Sequence, residues 1–156
     1  MKVSKETPLL EITLRKYEKP AFKDLRQLIK KFCLSLGLLQ TGDSRDIIVD
    51  VLLVLLKNSN KKKELTSIEI RDEVINYRKK RKLSLNGTAH SNIRRQLLRL
   101  RELMLVEKKR NKYRITEFLR MKDILNYKIK LYLINDTLSR IEEYCDEIDR
   151  QVLTKI

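Results

Sequence analysis

Residues 44–116 contain four segments of distinct periodicity in a fixed order, and few folds accommodate that order. The first segment, from about Arg45 to Lys57, is almost entirely apolar, as in a helix that is buried on all sides. Two amphipathic helical segments follow. The fourth segment alternates apolar and charged residues on either side of a turn at Arg110-Asn111. This order predicts three helices followed by a two-stranded β-hairpin.

Local signals mark where the two amphipathic helices begin. Thr66 and Glu69 have the spacing of a capping box, in which each residue bonds the backbone amide of the other. Thr88 suits the N-cap of the next helix, which extends to about Met104. The apolar face of this last helix is formed by Ala89, Ile93, Leu97, Leu100 and Met104.

The first 43 residues are predicted to add N-terminal helices. Apolar residues at helical spacing from Leu10 to Tyr17 indicate a first helix, although Leu10, Ile12 and Leu14 also alternate as they would in a strand. A second helix ends just before Gly37. Its apolar positions are Phe22, Leu25, Ile29, Phe32 and Leu36.

The last 38 residues carry a coiled-coil pattern, in which apolar residues are alternately three and four positions apart over four heptads. Its members are Ile124, Tyr127, Leu131, Ile134, Leu138, Ile141, Cys145, Ile148 and Val152. Such a seam predicts a homodimer. Extra apolar residues in the first half of this segment also predict that it packs on the preceding module. The sequence does not decide whether the polar residues at 135–137 interrupt the helix.

These patterns predict a mainly α protein in three parts, with scarce glycine (3) and proline (2) favouring long helices. Residues 1–43 form an N-terminal helical extension. Residues 44–118 form a module of three helices and a two-stranded β-wing. Residues 119–156 form a long C-terminal dimerisation helix.

The positive charge of the chain is concentrated in one stretch. Of a net charge of +15, Lys57–Arg114 carries +13, since nineteen Lys and Arg face only six Asp and Glu there. A duplex phosphate backbone attracts such a field, because each neutralised phosphate releases condensed counterions. Double-stranded DNA is therefore the leading partner.

The third helix of the module is predicted to present polar side chains to base edges, where Arg pairs with guanine and Asn with adenine. Its candidate DNA contacts are Thr88, His90, Ser91, Asn92, Arg94, Arg95 and Arg99. The hairpin adds Lys108, Lys109, Arg110, Asn111, Lys112 and Arg114, which suit the backbone or the minor groove. Predicted phosphate contacts are Thr66, Ser67, Lys79, Lys80, Arg81 and Lys82, although a cationic run is often only a solvated helix end.

The order of elements resembles a winged helix-turn-helix module. Residues 93–109 resemble the recognition helix and first wing strand of the MarR and PadR group of transcriptional regulators, and residues 113–117 are similar to that group's strand after the wing. The resemblance covers about residues 44–120. That group commonly has glycine where Met104 stands. The resemblance implies that duplex DNA is read by a homodimer held together by terminal helices, with two recognition helices about one duplex turn apart.

Motifs of enzymes and metal sites are absent from the sequence. His90 is the sole histidine, no glycine-rich phosphate-binding motif occurs, and Cys33 and Cys145 fall at apolar-periodic positions that predict burial. We expect no enzymatic activity, no cofactor and no metal, and the sequence does not address whether a small-molecule effector exists. The longest apolar run is too short to span a membrane, and the N-terminus lacks a secretory signal, so a cytoplasmic, nucleoid-associated location is expected.

Three functions are compatible with these features. The first is a sequence-specific, homodimeric DNA-binding transcriptional regulator, with the recognition helix in the major groove and the basic wing on the backbone or minor groove. The second is a low-specificity chromatin or replication-associated DNA-binding protein, which the lysine-rich runs favour. The third is a winged-helix adaptor for protein contacts, since a fold alone does not determine a function.

Overall fold

The computed structural model describes residues 5–21 and 24–155. The protein is mainly helical, with a small three-stranded antiparallel sheet and a long C-terminal helix. The elements before that helix are α1 (Leu25–Ser35), α2 (Ile47–Ser59), β1 (Leu65–Thr66), α3 (Ser67–Lys80), α4 (His90–Glu102), β2 (Val106–Lys109) and β3 (Lys112–Ile115). The predicted order of three helices and a hairpin is confirmed.

Helix α2 lies at the centre of the fold. Every residue from Ile47 to Leu55 is buried, including Asp50. The helix packs against α1, α3, α4 and β3, so it requires an apolar surface on all sides. The prediction of a buried core helix is confirmed.

Helix α3 begins with the predicted capping box. The Thr66 hydroxyl accepts a hydrogen bond from the Glu69 amide at 3.2 Å, and the Glu69 carboxylate accepts one from the Thr66 amide at 3.1 Å. These bonds satisfy two amides that a helix N-terminus leaves without backbone partners. Because Thr66 also belongs to β1, the cap joins the first turn of α3 to the sheet.

The sheet has the strand order β1-β3-β2. The turn between β2 and β3 is at Arg110 and Asn111, as predicted, and both residues have the positive φ (52° and 63°) that a type I′ turn requires. Strand β1 was not predicted, because two residues are too few to show an alternating pattern. It pairs Thr66 with Lys112 and so brings the hairpin next to the start of α3.

The first predicted helix is replaced by a segment without helix or strand over residues 5–21. The Arg15 amide donates to the Ser35 carbonyl at 2.8 Å, and the Arg15 guanidinium donates to the carbonyls of Leu34 (2.8 Å) and Leu39 (3.2 Å). Carbonyls at the end of a helix need such external donors. The prediction of a helix here is wrong, and the segment instead supplies donors to carbonyls at the end of α1.

Helix α1, the second predicted N-terminal helix, is confirmed over Leu25–Ser35. Ile29 and Cys33 are buried on its inner face, and burial raises the pKa of the Cys33 thiol to about 12. The predicted apolar position Phe22 lies outside the described residues. Among the residues described, the N-terminal extension therefore contributes one helix instead of two.

We expect Gly37→Ala to destabilise the protein more than Gly42→Ala. Both glycines have left-handed φ (+73° and +79°), which costs an alanine about 1–2 kcal/mol. A Cβ at Gly37 would also lie 2.5 Å from the Thr13 Cβ, whereas no described atom lies within 4 Å of a Cβ at Gly42. Chemical denaturation should show a further loss of roughly 1–3 kcal/mol for Gly37→Ala. Equal losses would contradict the close packing of Thr13 on Gly37.

Two carboxylates and two guanidinium groups form a buried ion-pair cluster of Arg26, Asp46, Asp50 and Arg78. Asp50 accepts hydrogen bonds from Arg26 Nε at 2.8 Å and from Arg78, and Asp46 accepts from Arg26 at 2.9 Å and Arg78 at 3.2 Å. Burial acts to raise the pKa of Asp46, but the bonds and charges of the two arginines outweigh it and lower that pKa. The stabilisation by Asp46 is therefore fully present above about pH 4 and is lost as the pH falls through the lowered pKa.

The C-terminal helix is continuous. It consists of an α-helical turn (Met121–Ile124), a π-helical stretch (Leu125–Ile134) and a second α-helix (Asn135–Lys155), so the polar residues at 135–137 do not break it. Ile124 and Ile129 are buried in the core, five positions apart as in the i to i+5 bonding of a π-helix. The first part of the helix is thereby attached to the rest of the fold.

Two predictions about this helix are wrong. Ile124 is 0% exposed, so it belongs to the core and is not available to a dimer interface. Cys145 was expected to be buried and is exposed. The other predicted seam positions are exposed or half-buried, namely Tyr127, Leu131, Ile134, Leu138, Ile141, Ile148 and Val152. None of the helices in the described part of the chain has the length and apolar character of a membrane span.

Candidate nucleic-acid interface

The N-termini of α3 and α4 lie side by side. The connector between these helices returns along α3, since Arg71 Nε donates to the Thr88 carbonyl at 2.7 Å. Ser67, the first residue of α3, has its hydroxyl 3.3 Å from Nε2 of His90, the first residue of α4. Each helix N-terminus carries a partial positive charge from its unpaired amides. This corner of the molecule is therefore favourable for an anion.

The rotation of α4 is set by its apolar side chains. Ile93, Leu97 and Leu100 are completely buried against the core. The opposite side is exposed to solvent and carries Ser91, Arg94, Arg95, Leu98, Arg101 and Glu102. The predicted amphipathic helix is thus present, with most of its polar and cationic side chains facing outward.

The exposed arginines of α4 lack acidic partners. Among the described residues, no carboxylate lies within 4.0 Å of Arg94, Arg95 or Arg101, whereas other arginines of the chain have such partners. Arg94 instead donates to His90 Nδ1 at 2.9 Å, and Arg95 donates to the Asn92 carbonyl oxygen at 3.2 Å. Because a guanidinium can only donate, Nδ1 is the acceptor in this contact, and Nε2 faces the Ser67 hydroxyl at 3.3 Å.

The hairpin continues this surface. Lys112 pairs with Thr66, which precedes Ser67, so one chain of contacts joins the hairpin, the start of α3, His90 and Arg94. The exposed residues of the hairpin are Lys108, Lys109, Arg110, Asn111 and Lys112. Lys109 and Lys112 pair on one side of the sheet, whereas Lys108 pairs with Tyr113 on the other. We define the basic face as Lys109, Arg110, Asn111 and Lys112 together with Thr66, Ser67, His90, Ser91, Arg94, Arg95 and Arg101.

Charges within the hairpin are arranged unfavourably for the free protein. Lys109 and Lys112 are direct cross-strand partners, and like charges in that position destabilise a strand pair. The pKa of the neighbouring Glu69 is lowered, mainly by its hydrogen bond from the Thr66 backbone and further by the charges of Lys63 and Lys112. An external anion between Lys109 and Lys112 would relieve the repulsion between them.

Two of the predicted contacts on α4 are occupied within the protein. Thr88 is not the N-cap, a position taken by Ala89, and Thr88 is 8% exposed with its hydroxyl donating to the Leu85 carbonyl at 2.6 Å. Asn92 is half-buried and its side-chain amide donates to the Gly87 carbonyl at 2.7 Å. Both side chains donate hydrogen bonds to backbone carbonyls of the connector before α4, so neither is free to contact a base.

Two predicted arginine contacts are likewise engaged. Arg99 faces the N-terminal extension and donates to the Leu38 carbonyl at 2.7 Å and the Gln96 side chain at 2.8 Å. Arg114 is half-buried and donates to the Glu107 carboxylate at 2.6 Å. The prediction that these two arginines point outward with the other cations is wrong. Periodicity gives the direction of a side chain, but it does not show which loop or strand of the folded chain lies in that direction.

The cationic run in the second half of α3 lies away from the basic face. Arg78 belongs to the buried ion-pair cluster, and Arg81 pairs with Asp24 at 3.2 Å. The exposed members of the run are Lys79, Lys80 and Lys82. The 14 residues of α3 place them about 20 Å from its N-terminus. The structure therefore does not group these predicted phosphate contacts with Thr66 and Ser67.

One member of the basic face was missing from the sequence prediction. Arg101 is exposed and lies seven residues, or two helical turns, after Arg94, so the two side chains share one side of α4. The signal was present in the helical periodicity. The prediction concentrated on the N-terminal half of the helix and omitted it.

An open cavity of about 550 Å³ lies on the other side of α4, away from Arg94. Its walls include residues 9–13 of the N-terminal segment, Arg99 of α4, Leu103 just after α4, and Leu133 of the C-terminal helix. The guanidinium of Arg99 already donates to backbone carbonyls, and Glu11 and Glu102 add carboxylates to the lining. Leu133 of the C-terminal helix lines this cavity, whereas Ser91, Arg94, Arg95 and Arg101 remain exposed.

No protein-family model, curated protein or solved structure matches this chain.

Proposed function

We propose that this protein binds double-stranded DNA through a winged helix-turn-helix module and acts as a homodimeric transcriptional regulator. Helices α2, α3 and α4 followed by the β2–β3 hairpin have the element order of that module. The MarR and PadR group of regulators, which the sequence resembles, provides the pattern for the proposal. In this proposal α4 is the recognition helix and the hairpin is the wing.

The observation that carries the proposal is the basic face. Its arginines and lysines have no carboxylate within 4.0 Å among the residues described, although Glu and Asp pair with other cations of this chain. A surface used for contact with proteins has no need for such uncompensated charge. A polyanion with regularly spaced phosphates matches it, because binding releases counterions from the nucleic acid.

In this proposal each part of the basic face has a role. Ser91, Arg94 and Arg95 occupy the N-terminal half of α4, the part of a recognition helix that reaches base edges in the major groove. Leu98, 49% exposed, suits a thymine methyl group. Ser67 at the start of α3 suits a phosphate, since helix N-termini bind anions. The wing lysines follow the backbone or the minor groove.

Self-association completes the proposal. The apolar seam of the C-terminal helix, from Leu138 to Val152, is exposed on the single chain and suits a second copy. A dimer doubles the phosphate contacts and favours a palindromic site. Such a protein would reside with the nucleoid.

A second function, low-specificity chromatin binding, is favoured by one observation. Asn92, the side chain best suited to adenine, is bonded to Gly87 and to the Gln96 side chain. Fewer groups are then left for reading bases. This alternative requires nearly equal affinity for unrelated duplexes.

The test is a duplex titration at fixed salt with the double variant Arg94→Ala, Arg95→Ala. We expect binding to a selected site to be at least about tenfold weaker and the preference for that site over random duplex to be smaller, because the loss of each base contact costs about 1–3 kcal/mol. The matched control is Arg140→Ala with Arg150→Ala, which removes the same charge from the C-terminal helix.

Two outcomes would contradict parts of the proposal. An equal loss of duplex affinity in both double variants, or no duplex binding by the wild type at low salt, would rule out the basic face as a DNA-binding surface and favour the adaptor function. Competition with random duplex separates the remaining two functions. Displacement from a selected site by equimolar random duplex would support the chromatin function.

A further inference from the structure

His90 is the only histidine of the chain, and it belongs to the basic face. It is the first residue of α4 and is half-buried. Histidine is the one side chain that ordinarily changes its charge between about pH 5 and pH 8. Among the side chains of the basic face, only His90 is therefore of a type that gains or loses a proton near neutral pH.

The His90 ring links the start of α3 to an arginine of α4. Its Nε2 lies 3.3 Å from the Ser67 hydroxyl, and its Nδ1 lies 2.9 Å from the guanidinium of Arg94. The connector before the ring is fixed as well, because Arg71 Nε donates to the Thr88 carbonyl at 2.7 Å. Residues four positions apart are neighbours on one face of a helix. The ring is therefore placed to hold the Arg94 guanidinium against α4.

The contact between the ring and Arg94 depends on the protonation state of the ring. A guanidinium has only donors, so the contact requires an Nδ1 that carries no proton. The charged imidazolium has a proton on both ring nitrogens and offers no acceptor. Protonation therefore replaces a hydrogen bond by a contact between two donors of like charge, and the guanidinium has to leave.

No acidic group compensates such a repulsion. Among the residues described, no carboxylate lies within 4.0 Å of His90 or Arg94, and the Glu69 carboxylate nearby accepts the Thr66 amide of the capping box. The charged side chains of the elements around the ring are Arg94 on α4, Arg71 and Glu69 on α3, and Lys112 on β3. A phosphate at this corner would favour the charged ring, because an opposite charge nearby stabilises the charged form.

We propose that His90 positions Arg94 through its protonation state, so that duplex binding strengthens as the pH falls through the range in which the ring gains its proton. This inference rests on the proposed function and adds a regulation of its site. The neutral ring holds Arg94 along α4. The imidazolium releases Arg94 to the duplex and supplies a further donor for a phosphate. The duplex in turn favours the protonated ring by the same factor, because coupling between two binding events is reciprocal.

A duplex titration at two pH values and fixed salt tests this coupling. We expect the wild type to bind at least about tenfold more tightly at about pH 5.5 than at about pH 8, because a hydrogen bond to a charged group contributes at least that factor. The salt slope should also be steeper at the lower pH, by about 0.9 for one additional phosphate contact. The matched variant His90→Gln keeps a donor and an acceptor but cannot gain a proton, so its affinity should be equal at both pH values.

The variant Arg94→Gln separates the positioning of Arg94 from the charge of the ring. It keeps the titrating ring but removes the guanidinium that the ring holds, so part of the pH dependence should be lost. Full pH dependence in this variant would overturn the inference, because His90 would then act only through its own charge. A wild type with no more pH dependence than His90→Gln would overturn it as well.

Nuclear magnetic resonance of the free protein gives a readout without DNA. The signals of the Arg94 guanidinium should shift with the same midpoint pH as those of the His90 ring. Arg95 is an internal control, since its guanidinium donates to the Asn92 amide oxygen at 3.2 Å and an amide does not titrate. Arg94 signals that do not follow the ring would overturn the inference.

The two measurements distinguish a failure of the inference from a failure of the proposed function. Duplex binding that is independent of pH would contradict the inference alone. A wild type that binds no duplex at either pH would contradict the proposed function, and the regulation of its site with it.

Discussion

Replacement of Asp50 by alanine is expected to lower the free energy of unfolding by about 3–5 kcal/mol. Asp50 is 0% exposed and accepts hydrogen bonds from both Arg26 and Arg78, whose side chains are 11% and 5% exposed. Without this carboxylate, two guanidinium groups stay buried with only Asp46 as an acidic partner. A buried charge that lacks its partner is costly because it has lost hydration without compensation. Chemical denaturation at neutral pH measures the loss.

The matched control for this variant is Asp43→Ala. Asp43 precedes the same helix, but its carboxylate lies 3.9 Å from the guanidinium of Arg45, whose side chain is 85% exposed. Exposed ion pairs contribute about 0–1 kcal/mol, so the control should lose no more than about 1 kcal/mol. A loss for Asp50→Ala as small as that of the control would contradict the role of the buried ion-pair cluster in holding α1, α2 and α3 together.

Replacement of three hairpin cations by glutamine is expected to weaken duplex binding by about 100-fold at physiological salt without loss of stability. The variant carries Lys109→Gln, Arg110→Gln and Lys112→Gln. Loss of three phosphate contacts should also reduce the salt slope by roughly 2 to 3. The melting temperature of the free protein should stay equal or rise slightly, since the Lys109–Lys112 repulsion is removed.

The second cationic cluster provides a control of identical charge. Lys79, Lys80 and Lys82 are equally exposed but lie about 20 Å from the N-terminus of α3. Their replacement by glutamine should weaken binding by less than about fivefold, because only the long-range field changes. If both triple variants bound equally weakly, net charge alone would account for binding and the basic face would have no special role.

Much of the fold could be predicted because its signals are local. The apolar run of α2, the Thr66–Glu69 capping box and the Arg110-Asn111 turn each depend on residues within a few positions of one another. Met104 illustrates the limit of such signals. It was placed on the apolar face of α4, but the helix ends at Glu102 and Met104 has a φ of +63°, the left-handed conformation that glycine favours.

The errors in the candidate site have one physical origin. Arg81, Arg99 and Arg114 all lie in cationic stretches of the sequence, yet each donates to a group brought near by the fold, namely Asp24, the Leu38 carbonyl and Glu107. Helical spacing shows which way a side chain points. It does not show whether the folded chain places a hydrogen-bond acceptor at that position.

The sequence by itself determined the three helices and the hairpin of the module, their order and the sign of their charge, because periodicity, caps and composition are local properties. Tertiary structure alone decided which cations stay exposed, that strand β1 joins the hairpin to α3, and that residues 5–21 form no helix. These features depend on contacts between residues far apart in the chain. Their free energy comes from hydrogen bonds and ion pairs that exist only once the core has formed.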